Sequence, residues 1–222
     1  VKNIFTGRAK RKTSSPEAFC NNQSKPRIRI LRKDTEQSHL AIGLHSFGRA
    51  HKDRYALALL HIILGANMSS RLFENIREKK GLAYEIGAEV KKYSETGAFI
   101  VHAGTEHKKA RELIACTLEE LRKIKKERVT AGELKRAKEF FKIQLLMALE
   151  DTVDHMLWMG EHVASLNKLP DSKKIVKKVE GVTRDDIRRL SGDIFKSSGL
   201  NIALIGTLEE KEQKKIEKEL VL

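Results

Sequence analysis

The residues best suited to chemistry in this chain stand in "HMLWMGEH", His155 to His162, where Glu161 directly precedes His162. A Glu-His pair closes the inverted zinc motif His-x-x-Glu-His, in which two histidines one turn apart hold the metal and the glutamate activates its bound water. Trp158 occupies the place of the first histidine, and an indole N–H donates but offers no lone pair to a metal. His155 is two turns from His162, roughly 10 Å along a helix, too far for one zinc ion. The stretch is read as a surface pair on an amphipathic helix, and no metal ligand is assigned to this chain.

The other histidines are no better placed. His39 and His45 fall on the strand face opposite Leu40 and Leu44, His51 precedes a helical run, His61 lies within it, and His102 and His107 flank a turn. None pairs with a carboxylate at ligand spacing. "LGANMSSRLF" lacks the lysine and preceding strand of a phosphate-binding loop, and no serine nucleophile elbow occurs. Cys20 and Cys116 form no Cys-x-x-Cys spacing and are read as free thiols, Cys116 within the core.

Period-two and helical patterns supply the elements that would position any site. Ile28 and Ile30, then Leu40, Ile42 and Leu44, alternate as half-buried strands, with "RKDTEQS" as the turn between them. "KDRYALALLHIIL" switches to a helical run that Gly65 ends. Ser69 or Ser70 can cap a second helix carrying Leu72, Phe73 and Ile76, and Gly81 marks its stop. A hairpin follows, with Leu82, Tyr84, Ile86, Ala88 and Val90 in one strand and Phe99, Val101 and Ala103 in the other.

Two helical stripes come next, Ala110 to Ile124 and Leu134 to Ala148, with capping-box spacing at Thr130/Glu133 and Thr183/Asp186. "GLNIALIG" reads as a late strand before a final charged helix. The expected fold is α+β: an antiparallel sheet of four or more strands with several helices packed on one face.

The chain has 222 residues, 40% hydrophobic and 33% charged, with three prolines, a profile that fits one folded core. Residues 1–26 are polar, basic and aperiodic and are expected to be a leader from a preceding domain; residues 27–222 form the domain. The formal charge of +14 draws anions at long range, but the basic residues are dispersed among glutamates and aromatics make up 5%. Base-stacking platforms and specific nucleic-acid binding are therefore not expected. No apolar run is long enough for a membrane span, and no secretory signal opens the chain. Cytoplasmic localisation is the expectation from these features and the free thiols.

The run "LGANMSSRLFENIREKKGLAYEI" resembles the second signature of the pitrilysin/insulysin-type zinc metallopeptidases, in the branch like mitochondrial processing peptidase. "EQSHLAIGL" upstream and "YSETGAFIVHAGT", "TAGELKRAKEFFKIQLLMALEDT" and "VTRDDIRRL…NIALIG" downstream fall in the family's order, from Arg27 to the end. The resemblance implies a clamshell of two similar α+β domains, this chain being the C-terminal, non-zinc one. It implies that Arg77 and Tyr84 reach across the cleft as auxiliary catalytic residues, and that the loop bearing Asn67, Ser69 and Ser70 touches substrate. Relatives carry two or three glycines in that loop, whereas this chain has Gly65-Ala66-Asn67.

Zinc and the general base would then belong to an N-terminal domain or subunit, the main partner alongside the peptide substrate, with a homodimer as a further arrangement. This chain alone is expected to bind no zinc and to be inactive. The alternative is a non-catalytic homologue serving as scaffold or peptide-binding partner.

Overall fold

A computed structural model describes residues 17–222. Of the expected leader, residues 1–16 lie outside the described residues. Residues 17–26 have no helix or strand and lie against the domain: the Phe19 N–H donates to Glu95 Oε2 (2.9 Å) and the Gln23 amide donates to the Leu200 carbonyl (3.2 Å).

The sheet follows the alternation. Its strands are β1 (Arg27–Leu31), β2 (Ser38–Phe47), β3 (Glu85–Lys92), β4 (Thr96–Thr105) and β5 (Asn201–Ile205), in the order β1-β5-β2-β4-β3. Leu40, Ile42 and Leu44 of β2 stand opposite Ala103, Val101 and Phe99 of β4, and all six are buried. The neighbouring positions Ala41, Gly43 and His45 fall on the other face and stay partly open.

Three pairings are antiparallel as expected, but β1 runs parallel to β5. The sheet is thus mixed, and the polar stretch after Leu31 is not a tight hairpin turn. Period-two alternation reports which face a strand buries and carries no record of its partner; here β5 lies between β1 and β2.

Seven α-helices among the described residues complete the domain: α1 (Arg54–Gly65), α2 (Ala110–Lys126), α3 (Ala131–Glu150), α4 (Thr152–Leu166), α5 (Ser172–Glu180), α6 (Arg184–Ile194) and α7 (Glu210–Glu219). In α2 the predicted stripe is the buried one, from Ala110 through Leu113, Ile114, Thr117, Leu118 and Leu121 to Ile124. Both capping boxes form, at Thr130/Glu133 on α3 and Thr183/Asp186 on α6. Close packing joins α1 to the sheet: a Cβ added at Gly65 would stand 2.7 Å from the Ala88 backbone nitrogen, so the helix ends against β3 without room for a side chain.

Candidate functional site

The segment between α1 and β3 is built differently from its sequence expectation. No serine side chain caps it; Asn67 Oδ1 accepts from the Ser69 N–H (2.9 Å), and the Asn67 carbonyl accepts from the Ser70 N–H (3.1 Å). Helix starts at Arg71 and widens into a π-helix over Phe73–Glu78, where the Lys79 N–H reaches back to the Glu74 carbonyl at 3.0 Å. Turns of this kind are rare and concentrate at functional sites, because the extra residue re-aims a side chain. Arg77 sits on this one.

Gly81 closes the segment in the left-handed region at φ +59°. Its N–H bonds to the Arg77 carbonyl (3.1 Å), and the Leu82 N–H to the Ile76 carbonyl (3.0 Å). The strand then begins at Glu85, later than alternation from Leu82 suggested, because Leu82 and Ala83 are both buried while Tyr84 is 53% exposed. Tyr84 stands at the entrance to edge strand β3, its backbone N–H on the Gly104 carbonyl at 2.9 Å.

Arg77 and Tyr84 thus flank the Gly81 turn with side chains open to solvent, but each is held by its own neighbours. The Arg77 guanidinium lies 4.8 Å above the Phe73 ring, with Glu78 4.0 Å from its Nε. The Tyr84 hydroxyl donates to Glu106 Oε1 at 3.4 Å, the oxygen that also receives Lys109 Nζ at 2.7 Å. The Lys109 ammonium holds the Glu106 carboxyl below its ordinary value, so near neutral pH Glu106 accepts from the phenol and does not compete for its proton.

Asn67 and Ser69 line a cavity of about 410 Å³, together with Met68 and with Glu133, Arg136 and Phe140 of α3. Ser70 is only 1% exposed and lies beneath that loop. Glu133 is the member that sequence reasoning underrated. Besides its capping box it receives Arg71 Nε at 2.6 Å and Nη2 at 3.1 Å, a two-bond clamp between α3 and the start of the Arg77 segment. The capping spacing was legible over three positions, but the clamp spans 62, and nothing local marks it.

Burial would raise the Glu133 carboxyl, yet Arg71 and the Thr130 N–H hold it down to about 2, from 4.5. A depressed carboxyl contributes stability that is present above its unfolded value and lost as pH falls toward the folded one. Urea unfolding of the chain should therefore lose stability from about pH 4.5 down to about 2. Glu133→Gln should cost about 1–3 kcal/mol at neutral pH and flatten that acid slope; an unchanged slope would show that Arg71 is not held through this carboxylate.

The Glu161-His162 pair is engaged by neighbours within the chain. Arg49 takes Glu161 Oε1 at 2.7 Å, and His162 Nδ1 donates to the Trp158 carbonyl at 2.8 Å, with the indole ring stacked edge-on against the imidazole. One imidazole and an engaged carboxylate do not make a zinc site. Among the described residues no group of three or more His, Cys, Asp or Glu could hold a metal ion. Ser38 Oγ lies 2.7 Å from His107 Nδ1, but the serine is fully buried and the histidine's other nitrogen is engaged by the Thr35 carbonyl, so the pair is a structural lock. Cys116 is half-buried at the core margin and not inside it, accepting from Lys80 Nζ at 3.0 Å.

The sequence profile described as "Peptidase M16 inactive domain" matches residues 1–141. The chain belongs to this family. Membership agrees with the pitrilysin-type resemblance of the signature run. The M16 domain is 32% identical over 164 residues to an uncharacterized zinc protease of Bacillus subtilis, covering 74% of this chain and 40% of that protein. It is 36% identical over 178 residues to one of Rickettsia felis, covering 80% and 43%. Each relative is more than twice as long as the part matched.

Solved structures agree on the fold. A protease from Helicobacter pylori superposes with a TM-score of 0.76 at 22% identity, over 88% of this chain and 48% of that one. A peptidase M16 inactive domain from Pseudomonas fluorescens does so at 0.73 and 19%, over 82% and 44%. No helix among the described residues of this M16 domain is long and apolar enough to cross a membrane.

Proposed function

We propose that this M16 domain is the C-terminal half of a zinc-dependent metalloendopeptidase of the processing-protease kind. It completes the substrate chamber, while zinc and the general base are held by a separate N-terminal domain or subunit. Residues 1–26 form the connecting leader and 27–222 the domain. The observation that carries this reading is the placement of Arg77 on an exposed π-helical turn and Tyr84 at an exposed strand entrance, on either side of Gly81.

The chemistry follows from charge. Peptide hydrolysis builds negative charge on the former carbonyl oxygen, and a guanidinium and a phenol aimed at it stabilise the transition state more than the neutral ground state. The cation–π contact with Phe73 orients Arg77 without neutralising it. Glu106 orients the phenol, whose hydroxyl must turn from that acceptor to reach substrate. Asn67 and Ser69 would contact an unfolded peptide at the cavity mouth, with Ser70 acting through the position of the loop.

Zinc content and peptide cleavage test this directly. The chain alone should take up no stoichiometric zinc and cleave no unfolded peptide, and adding the zinc half should restore cleavage. Stoichiometric zinc and cleavage by the chain alone would overturn the allocation. The second reading, a non-catalytic scaffold, is favoured by one observation: Arg77 and Tyr84 already have partners within the chain. A zinc half lacking His-x-x-Glu-His would select that reading.

A further inference from the structure

The Glu161-His162 pair, which makes no metal site, borders a second cavity of about 390 Å³. The space lies under α4, between that helix and parts of α1, α3, α5 and the end of β3. It shares no lining residue with the cavity at Asn67, and neither Arg77 nor Tyr84 borders it. No residue of α4 is buried. Met156 and Leu157 are open to solvent, whereas Trp158 packs toward the core and forms part of the cavity wall. Arg49 ties the helix across the space: it takes Glu161 Oε1 at 2.7 Å and donates to Ser165 Oγ and, at 3.2 Å, to the Lys92 carbonyl.

The wall combines two chemistries. Val90, Phe141 and Leu145 supply apolar surface, and Tyr55 and Trp158 supply aromatic rings. Arg49, Arg54 and Lys92 bring three cations, against which Glu161 is the one carboxylate among the described residues of the lining. Lys91 is drawn away onto Glu89 at 2.8 Å. The Arg54 guanidinium lies 4.6 Å over the Tyr55 ring and donates to its hydroxyl at 3.3 Å, and Lys178 Nζ stands 6.0 Å from the same ring. Lys92 Nζ makes no hydrogen bond or close ion pair among the described residues. Removal from water and the charge of Arg49 hold this ammonium below its ordinary value, with Glu161 opposing and Arg54 adding to the effect.

These features define an occupant. A neutral apolar molecule would desolvate the cations without pairing them, which is costly. A bare inorganic anion would pair them but leave the rings and aliphatic wall unused. The volume is at the small end of ligand pockets, with room for a ring and not for a polymer. We propose that the cavity under α4 binds a small aromatic anion, a ring bearing a carboxylate or phosphate, with the ring against Tyr55 and Trp158 and the charge on Arg49, Arg54 and Lys92. This site is separate from the residues assigned to peptide hydrolysis and does not depend on that reading.

Trp158 is the chain's single tryptophan, so its fluorescence reports occupancy directly. The chain is titrated with phenyl phosphate and with phenylacetate, and calorimetry checks the stoichiometry. At least one should bind saturably at one site, with Kd of about 1 mM or tighter; the tighter of the two names the anionic group. Benzylamine, which has the ring and the opposite charge, and inorganic phosphate, which has the charge and no ring, should each bind at least about 10-fold more weakly. Lys92→Gln should weaken binding about 10-fold, the loss of one charge-assisted contact. Glu161→Gln should tighten it about 3-fold, because it removes the carboxylate that competes for Arg49. Both side chains are solvent-facing in part, and an unchanged circular dichroism melt confirms the fold. No saturable binding of either aromatic anion, equal binding of benzylamine, an unchanged affinity in Lys92→Gln or a weakened one in Glu161→Gln overturns the proposal. Inorganic phosphate binding as tightly as phenyl phosphate overturns the choice of an aromatic ligand. Cleavage measurements with the zinc half decide the peptidase reading separately, whatever the titrations give.

Discussion

If the proposed function holds, Arg77→Ala is expected to lower kcat of the assembled peptidase by about 10²–10³-fold, the loss that follows removal of one donor to a developing oxyanion. KM changes little, because the guanidinium interacts with charge that the ground-state carbonyl lacks. Arg77→Lys recovers part of the rate: it keeps the charge, but not the planar stack on Phe73 that aims it. The side chain is exposed and makes no bond to the core, so thermal stability should match the wild-type protein. Equal stability with unchanged kcat would remove Arg77 from the chemistry and leave the scaffold reading; a rise in KM alone would make it a substrate-binding residue.

Phe99→Ala is the most damaging single change expected in the fold. The ring is fully buried in β4, edge-on to Phe195 at 5.2 Å between centroids, and His61 meets it at 6.4 Å. Truncation leaves a cavity between sheet and helices and costs about 3–5 kcal/mol, a large share of the roughly 5–15 kcal/mol that holds a domain together. The melting temperature should fall by about 6–20 °C. A loss below about 1 kcal/mol in urea unfolding would show that the helix layer closes over the gap. His61 adds a condition: burial pushes its pKa down, partly offset by its bond to the Ala88 carbonyl, so the ring packs as a neutral group.

Much of the fold was legible because the two periodicities report burial directly. Every buried apolar position of α2 was visible as a stripe, and Thr130 and Thr183 announced two helix starts. What was hidden depends on contacts distant in the chain. Strand partnership was one case, since Ile28 and Ile30 alternate in the same way beside β5 as they would beside β2. The π-helix was another: "FENIRE" has ordinary helical residues, and nothing in their types marks the i+5 bonding.

At the site, Arg77 and Tyr84 were reachable only through the resemblance of the whole signature run. Neither residue type at that spacing announces a role, and Glu106 beneath the phenol is 22 positions away. Neither serine side chain supplies the expected cap, and Asn67 instead closes a turn on the Ser69 N–H ahead of the helix. The exposed face of α4 was half visible, since the absence of lysine and arginine from 143 to 167 can be counted in the sequence. Which side of that helix is uncovered required the packing of Trp158.

The position of β5 between β1 and β2 also governs how the chain acquires its shape. β5 is the last strand in sequence, and it bonds to the first two. Until Asn201–Ile205 has been synthesised, β1 has no partner among the described strands and β2 lacks its neighbour on that side. During translation the β2-β4-β3 portion can assemble early, but closure waits for a contact spanning some 170 residues, the separation of Arg27 from Asn201. Long loop closures of this kind are slow and leave strand edges exposed to other chains. A nascent or truncated form ending before Asn201 would therefore have its principal hazard in aggregation at β2.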